Sequence, residues 1–191
     1  MKTGHWSKDM KQARPLKPLA TVLAGIGLMG LVACAAGPAP SGAVPPALDP
    51  GQSVRALTTV SATGVQVYEC RAVAGTTTPA WTFVAPEAEL FDQRGRPVGR
   101  HGEGPYWQGL DGSRVVGSVR ARADAPVPGA IPWLLLATRS TGSAGVLSPV
   151  SFIQRLHTEG GVAPTGGCDA ASIGRQTRVG YRADYRLFIP A

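Results

Sequence analysis

The sequence has little charge, few cysteines and, beyond Cys34, no lysine, and these shortages limit the functions it can have. Charged residues make up 16% of its 191 residues. Five of the 19 bases and one of the 12 acids precede Cys34, so the chain beyond it has a net charge of +3. Its arginines are scattered singly, whereas a nucleic-acid footprint needs clustered bases. We therefore expect no nucleic-acid partner.

Several motifs that mark enzymes are also missing. The sequence has no Gly-x-Ser-x-Gly elbow for a nucleophile, no phosphate-binding Walker motif, and no Gly-x-Gly-x-x-Gly after a predicted strand. These absences leave enzymatic activity undecided, with a binding or structural role favoured over catalysis. We predict no cofactor.

No apolar run reaches the ~20 residues that a membrane-spanning helix needs. The longest run, residues 19–32, follows a cationic stretch and precedes small residues, which is the order of a signal peptide. It ends in Leu31-Val-Ala-Cys34, which resembles the lipobox of bacterial lipoproteins. We expect residues 1–33 to be a lipoprotein signal peptide and Cys34 to carry the lipid. Ordinary cleavage, giving a soluble periplasmic or secreted protein, is the alternative.

Residues 34–50 are rich in Pro, Ala and Gly and carry almost no charge, which is typical of an extended tether. This organisation predicts a protein attached to a membrane through Cys34. Because Ala35 and not Asp follows the cysteine, known sorting patterns point to the outer membrane, with the protein facing the periplasm or the cell surface.

Two cysteines remain for the domain, Cys70 and Cys168. In an oxidising compartment such a pair is expected to form a disulfide. A metal-binding or catalytic role is the alternative, but neither cysteine has a second cysteine at Cys-x-x-Cys spacing or a histidine close by in sequence.

Residues 51–191 predict a single all-β domain, an antiparallel β-sandwich or barrel-like fold with long loops. Period-2 alternation places Gln66, Tyr68 and Cys70 on one face of a strand. The nearly continuous apolar run 131–137 predicts a strand buried on both faces. The strand candidates are 53–62, 64–71, 81–86, 87–92, 97–101, 113–123, 131–139, 149–157 and 178–189.

The densest group of polar and aromatic residues lies between residues 101 and 113. One hypothesis is structural: His101 and Trp107 fix a loop, Asp111 opens a hairpin turn, and His157 at a strand end bonds to backbone. A second is a small-molecule or glycan pocket. The candidate ligand-contact residues are His101, Tyr106, Trp107, Asp111 and Trp133.

A third hypothesis is a metal site. Two His-x-Glu pairs occur, and residues two apart on a strand point to the same side. If the fold brought the pairs together, they would offer a His and carboxylate site for Zn²⁺ or a similar ion. The candidates are His101, Glu103, His157 and Glu159.

Six segments resemble, in order and spacing, a family of secreted bacterial and fungal proteins catalogued as domain of unknown function 3455. The resemblance extends from about residue 45 to the last residue. It implies no activity, but both Cys70 and Cys168 match cysteine positions of the family, which favours the disulfide. The segments are 66–70, 81–88, 101–113, 131–136, 152–158 with Gly160 and Gly161, and 181–185.

The sequence therefore predicts a lipid-anchored cell-envelope module of binding or structural type, whose ligand is a small molecule, a glycan or another envelope protein. A metal-binding protein or metal-dependent enzyme that uses the two His-x-Glu pairs is the alternative.

Overall fold

The computed structural model describes residues 42–191, so the predicted signal peptide, Cys34 and most of the predicted tether lie outside the described residues. Eight antiparallel strands form a closed barrel in which sequence neighbours pair and the last strand pairs with the first. The all-β prediction is confirmed, and of the two predicted architectures, β-sandwich and barrel, the structure has the barrel. The strands are β1 Val54–Arg71, β2 Ala80–Phe91, β3 Pro97–Gly102, β4 Tyr106–Gly109, β5 Arg114–Ala123, β6 Trp133–Ser140, β7 Phe152–Gly160 and β8 Gln176–Pro190.

Barrel closure depends on the two longest strands, β1 and β8. They pair from Val54 opposite Pro190 to Glu69 opposite Gln176. The sequence predicted a break between two strands near residue 63, but β1 continues through this position. Gly64 does not form a turn there; it allows the backbone of β2 to pass close by. A Cβ at Gly64 would lie 2.1 Å from the Glu87 carbonyl oxygen of β2.

Two further boundaries differ from the prediction. The predicted strands 81–86 and 87–92 are one strand, β2, and the short strand β4 lies where no strand was predicted. Between β4 and β5 the predicted turn at Asp111 is present, and Gly112 has a φ of +82°, a conformation that glycine adopts at little cost.

Two hydrophobic cores are present: the main core lies inside the barrel, and a second core covers the outside of β6. Inward residues of the main core include Trp107, Leu136 and Ile153. On the outer face Trp133 and Leu135 pack with Leu48, which belongs to the 3-10 helix Pro46–Leu48. The prediction that this strand is buried on both faces is confirmed.

Residues 141–151, which we call the strap, connect β6 to β7 and cover one end of the barrel. Leu147 and Val150 of the strap pack into the main core. Asp111 and Ser113 hold it in place: an Asp111 carboxylate oxygen accepts from the Val146 amide at 2.8 Å, and the Ser113 hydroxyl accepts from the Leu147 amide at 3.1 Å. This end is called the strap end below.

The opposite end, called the cavity end, carries the disulfide. Cys70 and Cys168 are bonded, with 5.3 Å between their Cα atoms, as predicted. The bond connects the loop between β7 and β8 to the end of β1. The Trp81 indole donates a hydrogen bond to the Gly166 carbonyl of that loop at 2.8 Å. Among residues 42–191, no helix has the length and hydropathy to cross a bilayer.

Candidate functional site

A cavity of about 540 Å³ opens at the cavity end of the barrel. Trp107 and Tyr185, both almost fully buried, lie at its inner boundary. Apolar side chains surround the opening, and two of them, Phe83 and Val119, are 50% and 57% exposed. The volume falls within the ~300 to 1,000 Å³ typical of small-molecule sites. The wall also includes Gln66, Tyr68, His101, Leu134, Leu136 and Arg155.

His101 is a neutral side chain in the middle of the barrel. Its ring stacks on Trp107 with 4.3 Å between centroids and meets the Tyr185 ring edge to face at 5.1 Å. Its Nδ1 lies 2.7 Å from the Tyr106 carbonyl, so that nitrogen carries the hydrogen and donates. Burial lowers the pKa of His101 from 6.5 to about 4, against the opposing effect of this hydrogen bond.

Arg155 supplies a positive charge to the same cavity. It lies opposite Leu134 of β6 and Tyr185 of β8, two residues whose side chains face the barrel interior. Its Nε donates to the Pro132 carbonyl at 3.0 Å, which fixes the guanidinium on the cavity wall. The ion pairs found among residues 42–191 involve other arginines or His157, so no described carboxylate lies within 4.0 Å of Arg155.

Gln66 and Tyr68 place further hydrogen-bonding groups on the wall. Gln66 is 2% exposed, and its amide nitrogen has no hydrogen-bond partner among the described residues. The Tyr68 hydroxyl donates to the Gly161 carbonyl at 2.6 Å. An unpartnered buried amide costs free energy, so Gln66 is a group for which a ligand would supply the missing partner.

The buried tyrosines remain protonated at neutral pH. Burial raises the pKa of Tyr68 and of Tyr185, and the nearby Arg155 charge opposes this only in part. Burial also raises the pKa of Tyr181, whose hydroxyl lies 3.5 Å from that of Tyr185. The tyrosines are therefore neutral groups that can donate hydrogen bonds.

The structure separates the five predicted ligand-contact residues. His101 and Trp107 meet inside the barrel, whereas Tyr106 lies outside, with the Arg114 guanidinium 3.8 Å from its ring centroid. Asp111 binds the strap at the other end, and Trp133 is buried outside the barrel against Leu48. A pocket built on Tyr106, Trp107 and Trp133 is therefore not formed, because successive residues on a strand face opposite sides of the barrel wall.

The four predicted metal ligands are also dispersed. Glu103 lies exposed at the mouth of the cavity, and His101 is inside it. His157 and Glu159 are exposed on the outer surface of the barrel, in two different surface depressions. Residues 42–191 contain no group of three or more His, Cys, Asp or Glu side chains placed to hold a metal ion.

His157 has a partner other than the predicted one. Its Nδ1 lies 2.8 Å from an Asp184 carboxylate oxygen, not from a backbone group. It also has a φ of +48° and lies where the pairing of β7 and β8 shifts register between Leu156 and Glu159. The structural hypothesis for this histidine was therefore wrong in its partner, because the bulge turns the ring towards β8.

Sequence reasoning missed Arg155, Gln66 and Tyr185 as cavity residues. Alternation could have found Arg155, since it shares a strand face with buried Ile153. It did group Gln66 with Tyr68 and Cys70, which are all buried, without indicating that their face lines a cavity.

The arrangement can bind a small molecule by hydrogen bonds, one positive charge and apolar contact. No curated protein and no solved structure matches the chain. The profile of a family described as a protein of unknown function, DUF3455, matches residues 50–189, which is well over half of the chain and includes all of the barrel strands except the last residue of β8. This chain is therefore a member of the DUF3455 family of proteins of unknown function.

Proposed function

We propose that this chain is a binding module of the cell envelope that holds one small molecule in the cavity of its barrel. The observation that carries the proposal is the 540 Å³ cavity into which buried polar groups without partners are built. Eight-stranded barrels have an interior that side chains either fill or leave just wide enough for one small ligand. Here the side chains leave this space open at the cavity end, and a smaller cavity of about 370 Å³ lies at the strap end.

Two features support a location in the cell envelope: the predicted lipoprotein signal peptide and the disulfide. The lipobox-like sequence ending at Cys34 supports a lipid anchor, and the following tether would let the barrel stand off from the membrane. The Cys70–Cys168 disulfide is typical of oxidising compartments outside the cytoplasm. The outer membrane is the location we propose.

Lipidation is tested by metabolic labelling with a palmitate analogue. The full chain should be labelled, and its Cys34→Ala variant should not. Equal labelling of the two would contradict an anchor at Cys34, and labelling of neither would favour a soluble periplasmic or secreted protein.

Binding is tested with the neutral fluorescent probe N-phenyl-1-naphthylamine and the purified full chain. We expect saturable binding to one site. A Val119→Trp substitution at the mouth should weaken this binding at least tenfold. The matched control is Val73→Trp, because Val73 is also a partly exposed valine but does not line the cavity.

The control variant should bind as the unsubstituted chain does. Absence of saturable binding would contradict the proposal. Equal binding by the Val119→Trp variant would place the probe elsewhere and would also contradict it.

A further inference from the structure

The charge inside the cavity indicates the chemistry of the ligand. Two ionised side chains line the cavity, Arg155 on the wall and Glu103 at the mouth. Glu103 is exposed and forms no described ion pair with Arg155. His101 is neutral and adds no charge. Among the described residues, Arg155 therefore has no carboxylate at ion-pair distance inside the cavity.

A half-buried guanidinium without a carboxylate partner is unfavourable unless an anion or water compensates it. Carboxylates suit it in particular, because the planar guanidinium donates two parallel hydrogen bonds to the two oxygens. A single cation balances a monoanion, whereas a phosphate monoester would bring a second negative charge into the same space.

The cavity wall also carries groups that can donate hydrogen bonds. The Gln66 amide nitrogen has no partner, and the Tyr185 hydroxyl is kept protonated by burial. A carboxylate is acceptor-only and offers about four lone-pair sites, so it can satisfy several of these donors at once. An ammonium accepts no hydrogen bond, and an alcohol offers only two lone pairs and no negative charge to pair with Arg155.

Much of the remaining cavity wall is apolar. Leu134 and Leu136 contribute to its wall, and Phe83 and Val119 are exposed at its mouth. An acyl or aryl group attached to the carboxylate would cover these side chains, and removing their apolar surface from water favours binding.

We infer that the cavity takes an amphipathic carboxylate, whose carboxylate pairs with Arg155 and whose apolar part contacts Leu134, Leu136 and the side chains of the mouth. This inference rests on the proposed binding function. The position of Arg155, its hydrogen bond to Pro132 and the missing carboxylate partner carry it.

The test uses three probes of the same length and different charge: octanoate, 1-octanol and octylamine. Each is titrated into the full chain, and its binding is measured by displacement of N-phenyl-1-naphthylamine. Three variants are compared: Arg155→Met removes the charge, Arg155→Lys keeps the charge without the guanidinium, and Arg182→Met is the matched control. Arg182 is exposed on β8 and does not line the cavity.

Octanoate should bind most tightly to the unsubstituted chain and octylamine least. Arg155→Met should weaken octanoate by about 10- to 100-fold, the range for one charge-assisted hydrogen-bonded pair. The Lys variant should lose less, and Arg182→Met should bind as the unsubstituted chain does. Retained binding of 1-octanol by Arg155→Met would establish that the cavity itself is intact in that variant.

The outcomes separate this inference from the function on which it rests. If 1-octanol or octylamine binds as tightly as octanoate, or if Arg155→Met leaves octanoate binding unchanged, the carboxylate inference is overturned and the binding function stands. If the probe binds saturably but none of the three displaces it, the carboxylate inference is overturned and the binding function stands; if the probe itself does not bind saturably, both are overturned.

Discussion

The stability of the barrel should fall on mild acidification because of one buried histidine. His101 has a pKa of about 4 in the folded protein and an ordinary value of 6.5. Between these two pH values, His101 is therefore protonated in the unfolded chain and neutral in the folded protein. The stabilisation is complete above pH 6.5 and is lost as the pH falls from there towards 4. The expected loss is about 2 kcal/mol between pH 7.5 and 5, and about 3 kcal/mol by pH 4.

Urea unfolding followed by tryptophan fluorescence, at a series of pH values with the disulfide intact, measures this fall. Carboxylates contribute mainly at lower pH: hydrogen bonds from Ser113 and from backbone amides lower the pKa of Asp111 below its ordinary 3.8, so its contribution is lost below that range. A His101→Gln variant should lose most of the fall between pH 7.5 and 5, whereas His157→Gln should retain it. An equal fall in His101→Gln, or no fall in the unsubstituted chain, would refute the reasoning.

Four further predictions concern stability. Cys168→Ala opens a loop with a sequence separation of 98 and should lower the free energy of unfolding by about 2 to 5 kcal/mol in urea titration; a loss under ~1 kcal/mol would contradict this. Leu48→Ala, at a fully buried position, should cost about 2 to 5 kcal/mol; a negligible cost would mean that the 3-10 helix does not cover β6. Ser113→Ala leaves the buried Leu147 amide without an acceptor and should cost about 1 to 3 kcal/mol, with faster amide exchange in the strap; unchanged exchange would argue against this anchor. Gln66→Met removes an unpartnered amide and should raise the melting temperature while weakening octanoate binding; a lower melting temperature would indicate that Gln66 has a structural partner.

Local sequence patterns predicted the strands that are long and strongly alternating. The apolar run of β6 indicated burial on both faces, and the structure covers its outer side with Leu48. The short strand β4 was missed because its four residues lie between glycine-rich turns and are too few to display a period. The break predicted at residue 63, just before Gly64, was wrong because a single sequence gives no sign that a neighbouring strand passes so close to Gly64.

The cavity could be predicted only in part, because its position depends on barrel closure. Alternation assigns Gln66 and Tyr68 to one face of β1, and Ile153 and Arg155 to one face of β7. It cannot show that both faces point into the same interior, since this requires β8 to pair with β1 and with β7. Trp133 was predicted to line a pocket for a related reason. Its strand is apolar on both faces, so the sequence pattern does not show which face points into the barrel.

The two halves of the interior argue that the polar residues serve a ligand and not the fold. Towards the strap end, inward positions hold aliphatic residues such as Val60, Leu90 and Leu187. Towards the cavity end, the same strands β1 and β7 place Gln66 and Arg155 on the wall instead. Aliphatic side chains at these positions would avoid the cost of burying an unpartnered amide and an unpaired cation. The chain lines one half of the barrel in this way, so barrel geometry does not require polar side chains in the other half, and their presence there supports the proposed ligand.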